Sequence, residues 1–396
     1  MPVRVSERPL RVLRIINGLA QGGAEESLRK LVVVTSAAGI DCLVMSFGSG
    51  GALREVIERA GAQVIEMHLS RIPSPLKLIR VFKVARAWKP DIVEGWMIHG
   101  NVAAWALRGG RPRARVIWNV RSSLALSVER PLTRLLIRLG VLLSYRVDAV
   151  VYNSAATARQ HEELGYSSRR THVIPNGFDV EALSFAPDHR AQARTLWGFP
   201  NDVKIIGHLS RWHRDKDHAA LLATFALVKA RRPDVLLVLA GAGLDPGNEE
   251  LMAEIDSRQL RGAVVLLGVV PSPSTLYPAF DAFALTSIRE GFPNVLGEAL
   301  ASGVPCVSTD VGGCREVVGD AAVFPVGDVV GLAGALVELL DEPTEVRARR
   351  AVAGRQRIAE MYGLASLGRR YLDLYDSVLA SGGSGARNAE PQHERR

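Results

Sequence analysis

From Arg11 to Phe324 the chain runs twice through one rhythm: a short apolar run, a loop, then a helical stretch. In the first pass, apolar runs at 11–16, 42–47, 63–67, 91–94, 115–119 and 148–152 predict strands. Helices are expected between and after them, at 52–60, 75–88, 101–108, 131–145 and 154–164. The second pass predicts strands at 204–209, 235–240, 264–267, 281–285, 306–308 and 322–324. Strands that are apolar throughout and alternate with helices are buried on both faces. The pattern therefore predicts an α/β chain of two doubly wound, Rossmann-like domains. Such sheets bind ligands at the carboxyl ends of their strands, so two of them facing each other enclose a cleft. The rhythm breaks between Thr171 and Arg194, which sets the domains at 1–175 and 176–364. Helical stretches follow at 329–340, 344–361 and 365–379. Ser381-Gly-Gly-Ser-Gly opens a charged stretch to Arg396, expected as a disordered tail over 381–396.

A chain of 396 residues is too long for one core, which agrees with two domains. No run reaches the roughly 18 uncharged apolar residues of a membrane span. Arg4, Arg8, Arg11 and Arg14 interrupt any secretory leader, so a cytoplasmic protein is expected. The three cysteines lack metal-ligand spacing, and neither a metal nor a cofactor is expected. Residues 1–175 hold 26 Lys+Arg against 13 Asp+Glu, and the remainder holds 23 against 28. The first half should thus face an anionic partner. Arg130, Arg134 and Arg138 form a basic stripe on one predicted helix, with Ile137, Val141 and Tyr145 in or beside it. Leu132, Leu135, Leu136, Leu139, Leu142 and Leu143 would then face the core. Apolar residues interleaved with a basic stripe point to an anionic membrane surface.

Chemistry is expected at four loops. Thr286–Gly303 reads as a strand end, a Gly-Pro loop and a helix capped by Asn294, a ready anion site bracketed by Glu290 and Glu298. Arg211 and Lys216 lie on the loop after the strand 204–209, where they can neutralise a diphosphate. Gly22 and Gly23 lie in a Gly-rich turn between the first strand and its helix, and let backbone approach a ligand closely. His99 is placed between a strand end and the next helix, where it can accept a proton or bind a hydroxyl near neutral pH. Arg121 occupies the analogous loop after the next strand.

Arg211 and Lys216 with Glu290-x7-Glu298 resemble glycosyltransferase family 4, the retaining enzymes of GT-B fold. Asn153-Ser154, Val173-Ile174-Pro175-Asn176-Gly177-Phe178-Asp179, Gly291-Phe292-Pro293-Asn294, Ala301-Ser302-Gly303-Val304-Pro305 and Asp310-Val311-Gly312-Gly313 extend the likeness, which reaches to about Tyr375. The resemblance implies a nucleotide-diphosphate sugar as donor. Arg211, Lys216 and backbone around Gly291, Phe292, Asn294, Val295 and Leu296 would hold its diphosphate, approached from the first domain by Gly22 and Gly23. Glu298 would bind the ribose, Glu290 the donor sugar, and backbone near Gly268 the base. His99 would lie beside the reacting sugar, and the helix 365–380 would cross back to the first domain. Transfer would be retaining and metal-independent, to a saccharide or lipid-linked saccharide in cell-surface polysaccharide assembly. Nucleic acid is not an expected partner. The alternatives are a GT-B nucleotide-sugar epimerase and a non-catalytic membrane-associated subunit that keeps the fold.

Overall fold

The computed structural model describes residues 4–5, 8–20, 22–69, 75–108, 114–124, 126, 129–183 and 187–381. Residues 382–396, most of the expected tail, lie outside the described residues. Ser381 itself closes the last helix, its hydroxyl donating to the Val378 carbonyl.

Both expected sheets are present and parallel. The first has seven strands: Arg11–Ile16, Asp41–Ser46, Gln63–Glu66, Ile92–Trp96, Arg115–Val120, Ala149–Tyr152 and Thr171–Val173. Counted within the domain their order is 3-2-1-4-5-6-7. The second has six, Lys204–Leu209, Val235–Ala240, Val264–Leu266, Ala282–Leu285, Cys306–Thr309 and Val323–Phe324, in the order 3-2-1-4-5-6. In each sheet the first and fourth strands are neighbours whose connections leave in opposite directions, which opens a crevice at their carboxyl ends. In the first domain that crevice receives residues 17–20, which follow the first strand, and the turn carrying His99. In the second it receives the loops that follow Leu209 and Leu285.

Thr171–Val173 is a strand that the sequence pattern misses, because three residues are too few to show a period. The chain then crosses to the second domain, and it returns beside its own outward path. Phe178 N–H donates to the Tyr362 carbonyl (2.8 Å) and Leu364 N–H donates to the Phe178 carbonyl (3.1 Å). The last helix, Leu364–Ala380, packs on the Gly23–Ala37 helix of the first domain. Its tyrosines enter a buried polar network there. Arg14 and Glu94, opposite each other on adjacent strands and both fully buried, pair at 3.1 Å, and Tyr375 donates to Glu94 at 2.5 Å. Burying two charges is tolerable only when their remaining donors and acceptors are met, and Thr35, Tyr375 and Trp96 do so here.

The Pro131–Ser144 helix reverses one expectation. Ile137, Gly140, Leu143 and Ser144 face inward, whereas Leu132, Leu135, Leu139 and Leu142 are exposed. Apolar residues surround much of this helix, so hydrophobicity does not choose the buried side; close approach does. A Cβ at Gly140 would come within 2.1 Å of the Tyr166 hydroxyl, which donates to the Ile137 carbonyl at 3.0 Å. Only the small-residue side can sit down on Tyr166.

Candidate donor site at the second sheet

The loop after the strand Lys204–Leu209 ends in a 3-10 turn, Arg214–Lys216, and Asp217 follows with φ +46°. That left-handed residue reverses the chain and caps the His218–Arg231 helix, accepting from Ala220 N–H at 3.1 Å. The neighbouring loop, after Ala282–Leu285, is fastened to it. Thr286 Oγ1 donates to the carbonyls of Lys216 and Asp217 (3.1 Å each), and Ile288 N–H donates to the Asp215 carbonyl (2.9 Å). Lys216 Nζ thereby comes to donate to Glu290 Oε1 at 2.6 Å, and Ser287 Oγ donates to the same oxygen at 2.7 Å. A Cβ on Gly312 would lie 2.1 Å from the Glu290 carbonyl, and this glycine has φ +55°. No other residue type fits beneath the loop. Arg211, by contrast, is exposed and makes no ion pair with a described residue. It is a solvent-facing cation on the loop at the strand ends.

Beneath the cationic loop lies a buried relay. His208 Nδ1 faces the Ala284 carbonyl (2.9 Å) and Nε2 faces Ser210 Oγ (2.9 Å), which in turn meets His218 Nε2 (3.0 Å). Since a carbonyl only accepts, Nδ1 of His208 carries the proton and Nε2 accepts from Ser210. Desolvation, and for His218 also the neighbouring His208, pushes the His208 and His218 pKa values down to about 4 and about 3. Both rings are neutral props for the 210–217 loop.

The helix at the site runs Asn294–Ala301, and its N-cap is Pro293, not the expected Asn294. Pro293 carries the extended backbone of a cap, and the Asn294 side chain points elsewhere: its Oδ1 accepts from Asn176 Nδ2 at 2.8 Å. Asn176 Oδ1 in turn accepts from Arg121 (3.3 Å), a buried guanidinium that also donates to the Ile174 carbonyl and to Asn119. The helix start is thus tied through the interdomain crossing to the first sheet. Gly23 adjoins it, since a Cβ there would lie 3.6 Å from Asn294 Nδ2, and Gly291 packs on the Arg121 carbonyl. Leu296 N–H donates to the Pro293 carbonyl (3.1 Å), whereas the N–H groups of Asn294 and Val295 precede the helix ladder and, with the helix dipole, favour an anion.

One turn along, half-buried Glu298 accepts from the Tyr277 hydroxyl at 2.9 Å. Burial raises its pKa, and Lys30 of the first domain and the Tyr277 hydrogen bond partly offset this. Gly268, with φ +60°, exchanges hydrogen bonds with the 241–244 turn: its carbonyl accepts from Gly241 and its N–H donates to Leu244. Phe292 and Leu296 have their side chains in the core, Phe292 against Phe178 and Tyr362, so neither side chain faces a ligand.

Across the cleft, His99 stands in the first turn of the Met97–Arg108 helix, not on a loop. The preceding strand flows straight into that helix through Met97, held at φ +60°. A Cβ on Gly95 or Gly100 would strike backbone of the same turn or of Ile15, which is why the turn is so tight. His99 Nδ1 lies 3.4 Å from Asn17 Nδ2, and burial lowers its pKa, offset in part by Glu129. Asn17, His99, Ser122, Ser123 and Glu129 line a cavity of about 220 Å³, closed below by Thr133, Ile137 and Tyr166. A second cavity of about 450 Å³ runs from Glu290 between the domains, past Arg159, Arg289 and Arg315. Among the described residues no group of acidic, His or Cys side chains has metal-binding geometry.

Ser287, Tyr277, Asn176 and Glu129 are functional neighbours that the sequence pattern does not single out. Asn176 had a signal, since it stands in the Pro-Asn-Gly stretch quoted above. Glu129, a lone acid in a basic segment, had a faint one. Tyr277 had none, because only the fold brings it to Glu298.

A fold of two Rossmann-like domains with cations, a helix start and two glutamates on one cleft wall defines the GT-B class. Family models agree with it. The model described as Glycosyltransferase Family 4 matches residues 21–182, and the model described as Glycosyl transferases group 1 matches residues 203–342. The chain belongs to glycosyltransferase family 4. It is 41% identical to the putative glycosyltransferase EpsF of Bacillus subtilis over 143 residues, 36% of each chain. To the lipopolysaccharide core biosynthesis glycosyltransferase LpsD of Rhizobium meliloti it is 27% identical, over 94% of this chain and 99% of that one. The N-acetyl-alpha-D-glucosaminyl L-malate synthase of Bacillus anthracis matches over 62% of each chain at 29% identity, so this relative, like EpsF, is spanned only in part. The fold superposes on Anabaena HepE, solved with UDP and glucose, with TM-score 0.81 and 22% identity, over 93% of this chain and 100% of that one.

Proposed function

We propose that the protein transfers a sugar from a nucleotide-diphosphate sugar to a saccharide carried on a lipid, with retention at the anomeric carbon. The observation that carries this reading is the Lys216–Glu290 pair, which joins the loop bearing exposed Arg211 to the loop leading into the Asn294 helix. Cleaving a sugar–phosphate bond develops positive charge on the sugar ring and negative charge on the departing diphosphate. Lys216, Arg211 and the helix N–H groups would stabilise the leaving diphosphate, and Glu290 would face the sugar. The acceptor oxygen forms its bond to the anomeric carbon on the face the phosphate leaves, and the acceptor proton passes to the phosphate oxygen. Because fixed cations supply the positive charge, the reaction needs no metal. Glu298, oriented by Tyr277, would hold the ribose hydroxyls.

The acceptor would occupy the His99 cavity, whose Asn, Ser, His and Glu side chains suit sugar hydroxyls. His99, neutral at pH 7, would accept or donate a hydrogen bond there. The lipid carrier is supported by the relatives' names, lipopolysaccharide core biosynthesis for LpsD and a phosphatidyl-myo-inositol mannosyltransferase in Mycolicibacterium smegmatis, 28% identical over 61% of this chain. A protein serving such an acceptor would work at the membrane surface. Among the described residues no helix is long and apolar enough to cross a membrane.

The test is incubation with a panel of labelled nucleotide sugars and a lipid extract, with and without a chelator. The reading expects label in the lipid phase, an α-linked product from an α-configured donor, and undiminished transfer with the chelator. Label that stays on nucleotide and changes only its sugar stereochemistry would replace it with an epimerase.

A further inference from the structure

Seventeen large hydrophobic side chains are exposed among the described residues, and seven of them are concentrated in one place. Seven belong to two helices of the first domain: Leu76, Ile79 and Phe82 on Pro75–Trp88, and Leu132, Leu135, Leu139 and Leu142 on Pro131–Ser144. Exposure ranges from 39% for Phe82 and Leu139 to 78% for Leu76, so these side chains are presented to solvent rather than grazing it. The inner sides of both helices join one core cluster under the same face of the sheet, through Val81, Ala85, Ile137 and Leu143. The Met97–Arg108 helix lies between them, packing on the Pro131 helix, and its Leu107 lines one cavity with Ile79, Phe82 and Ala85 of the Pro75 helix. The two apolar rows therefore belong to one layer and one side of the molecule.

Charge decides what covers them. The two helices carry six basic residues (Lys77, Arg80, Lys83, Arg86, Arg134, Arg138) and no acid. Arg80, Lys83, Arg86, Arg134 and Arg138 make no ion pair with a described residue. A second copy laid face to face would bring these cations together with nothing to neutralise them. An anionic bilayer meets both requirements, since leucine and phenylalanine enter the acyl boundary while arginine and lysine rest on the headgroup phosphates.

We infer that this two-helix layer is the membrane-docking face of the protein, and that insertion of its leucines, not the arginine stripe alone, holds it on an anionic bilayer. The inference rests on the proposed lipid-linked acceptor in one respect. The Pro131 helix that bears four of the leucines also lines the His99 cavity with Thr133 and Ile137. A saccharide whose lipid stays in the bilayer would thus reach His99 around a single helix.

The test is co-sedimentation of the full chain with vesicles of phosphatidylcholine containing phosphatidylglycerol, and with phosphatidylcholine alone. Wild-type protein, L135S/L139S/L142S and R134Q/R138Q are compared, with thermal melts and nucleoside-diphosphate binding as controls for each. Wild type is expected to pellet with the anionic vesicles and to be released as salt rises. The leucine variant should partition at least about tenfold less while melting and binding nucleotide as wild type does. The arginine variant should lose binding to a smaller extent and with a weaker salt dependence. Leucine variants that pellet like wild type, wild type that stays in the supernatant, or a leucine-dependent dimer in sedimentation velocity would each overturn the proposal. Loss of nucleotide binding by wild type would instead strike the proposed function and leave the membrane result to stand by itself.

Discussion

Lys216 Nζ and Glu290 Oε1 lie 2.6 Å apart and join the loops that follow the first and fourth strands of the second sheet. The pair holds a cation and a carboxylate at the mouth of the crevice, where a departing diphosphate and a sugar would need opposite charges. A diphosphate entering there would compete for the ammonium, and the Ser287 hydroxyl, which also donates to Glu290, would remain to hold the carboxylate.

Lys216→Gln should therefore lower kcat by about 10²–10³-fold, the range for removing one preorganised donor to developing charge. Glu290→Gln should lower kcat as well but leave nucleoside-diphosphate affinity within a few-fold of wild type. Steady-state kinetics beside calorimetric affinities separate the two. Equal effects of both variants on nucleotide affinity would contradict the division of roles.

Glu298 and Tyr277 form the second pair, at 2.9 Å. Tyr277→Phe removes one hydrogen bond to a charged group and should weaken nucleotide binding by about 1.5–3 kcal/mol if that bond orients Glu298 for the ribose. Burial raises the Glu298 pKa, so its charge is lost at a higher pH than that of an ordinary glutamate. Nucleotide affinity should accordingly decline on mild acidification in wild type and lose that dependence in Glu298→Gln.

Asn176 bridges Arg121 of the first domain and Asn294 at the helix start. Asn176→Ala leaves both partners a hydrogen bond short, which costs about 1 kcal/mol and loosens the helix start. The donor KM should rise severalfold with little change in the far-ultraviolet circular dichroism. A variant with unchanged kinetics would make Asn176 a packing residue only.

How much of this was legible follows from what each element needs. Strand 204–209 and helix 75–88 were read from the sequence with the bounds they have, because long apolar periods and clear stops mark them. The carboxyl-end loops, and with them Arg211, Lys216 and Glu290, followed from strand placement. Three things were hidden. Thr171–Val173 is too short to carry a period. Tyr277 reaches Glu298 only through tertiary packing. The buried side of the Pro131 helix is chosen by Gly140 against Tyr166, a steric fact that a hydrophobic count inverts.

The histidine relay gives a stability prediction with a fixed sign. His208 and His218 have folded pKa values of about 4 and about 3, below the ordinary 6.5. Below pH 6.5 the unfolded chain binds protons that the folded chain refuses. Stability is therefore complete above 6.5 and falls as pH drops through the folded values. Urea midpoints should decline from pH 6.5 to 4.5, and the decline should be smaller in His218→Phe, which has one histidine fewer to protonate.

A nucleoside diphosphate held by Arg211, Lys216 and the Asn294 helix, with its ribose on Glu298, is tested by calorimetric titration. Wild-type protein is titrated with UDP, GDP and ADP, and the nucleotide that binds best is then titrated into Arg211→Ala, Lys216→Ala and Glu298→Ala. Saturable binding of at least one nucleotide is expected, weakened about tenfold or more in each variant, whose melting temperatures stay near wild type. Nucleotide binding that is absent from wild type, or equally tight in all three variants, would contradict it.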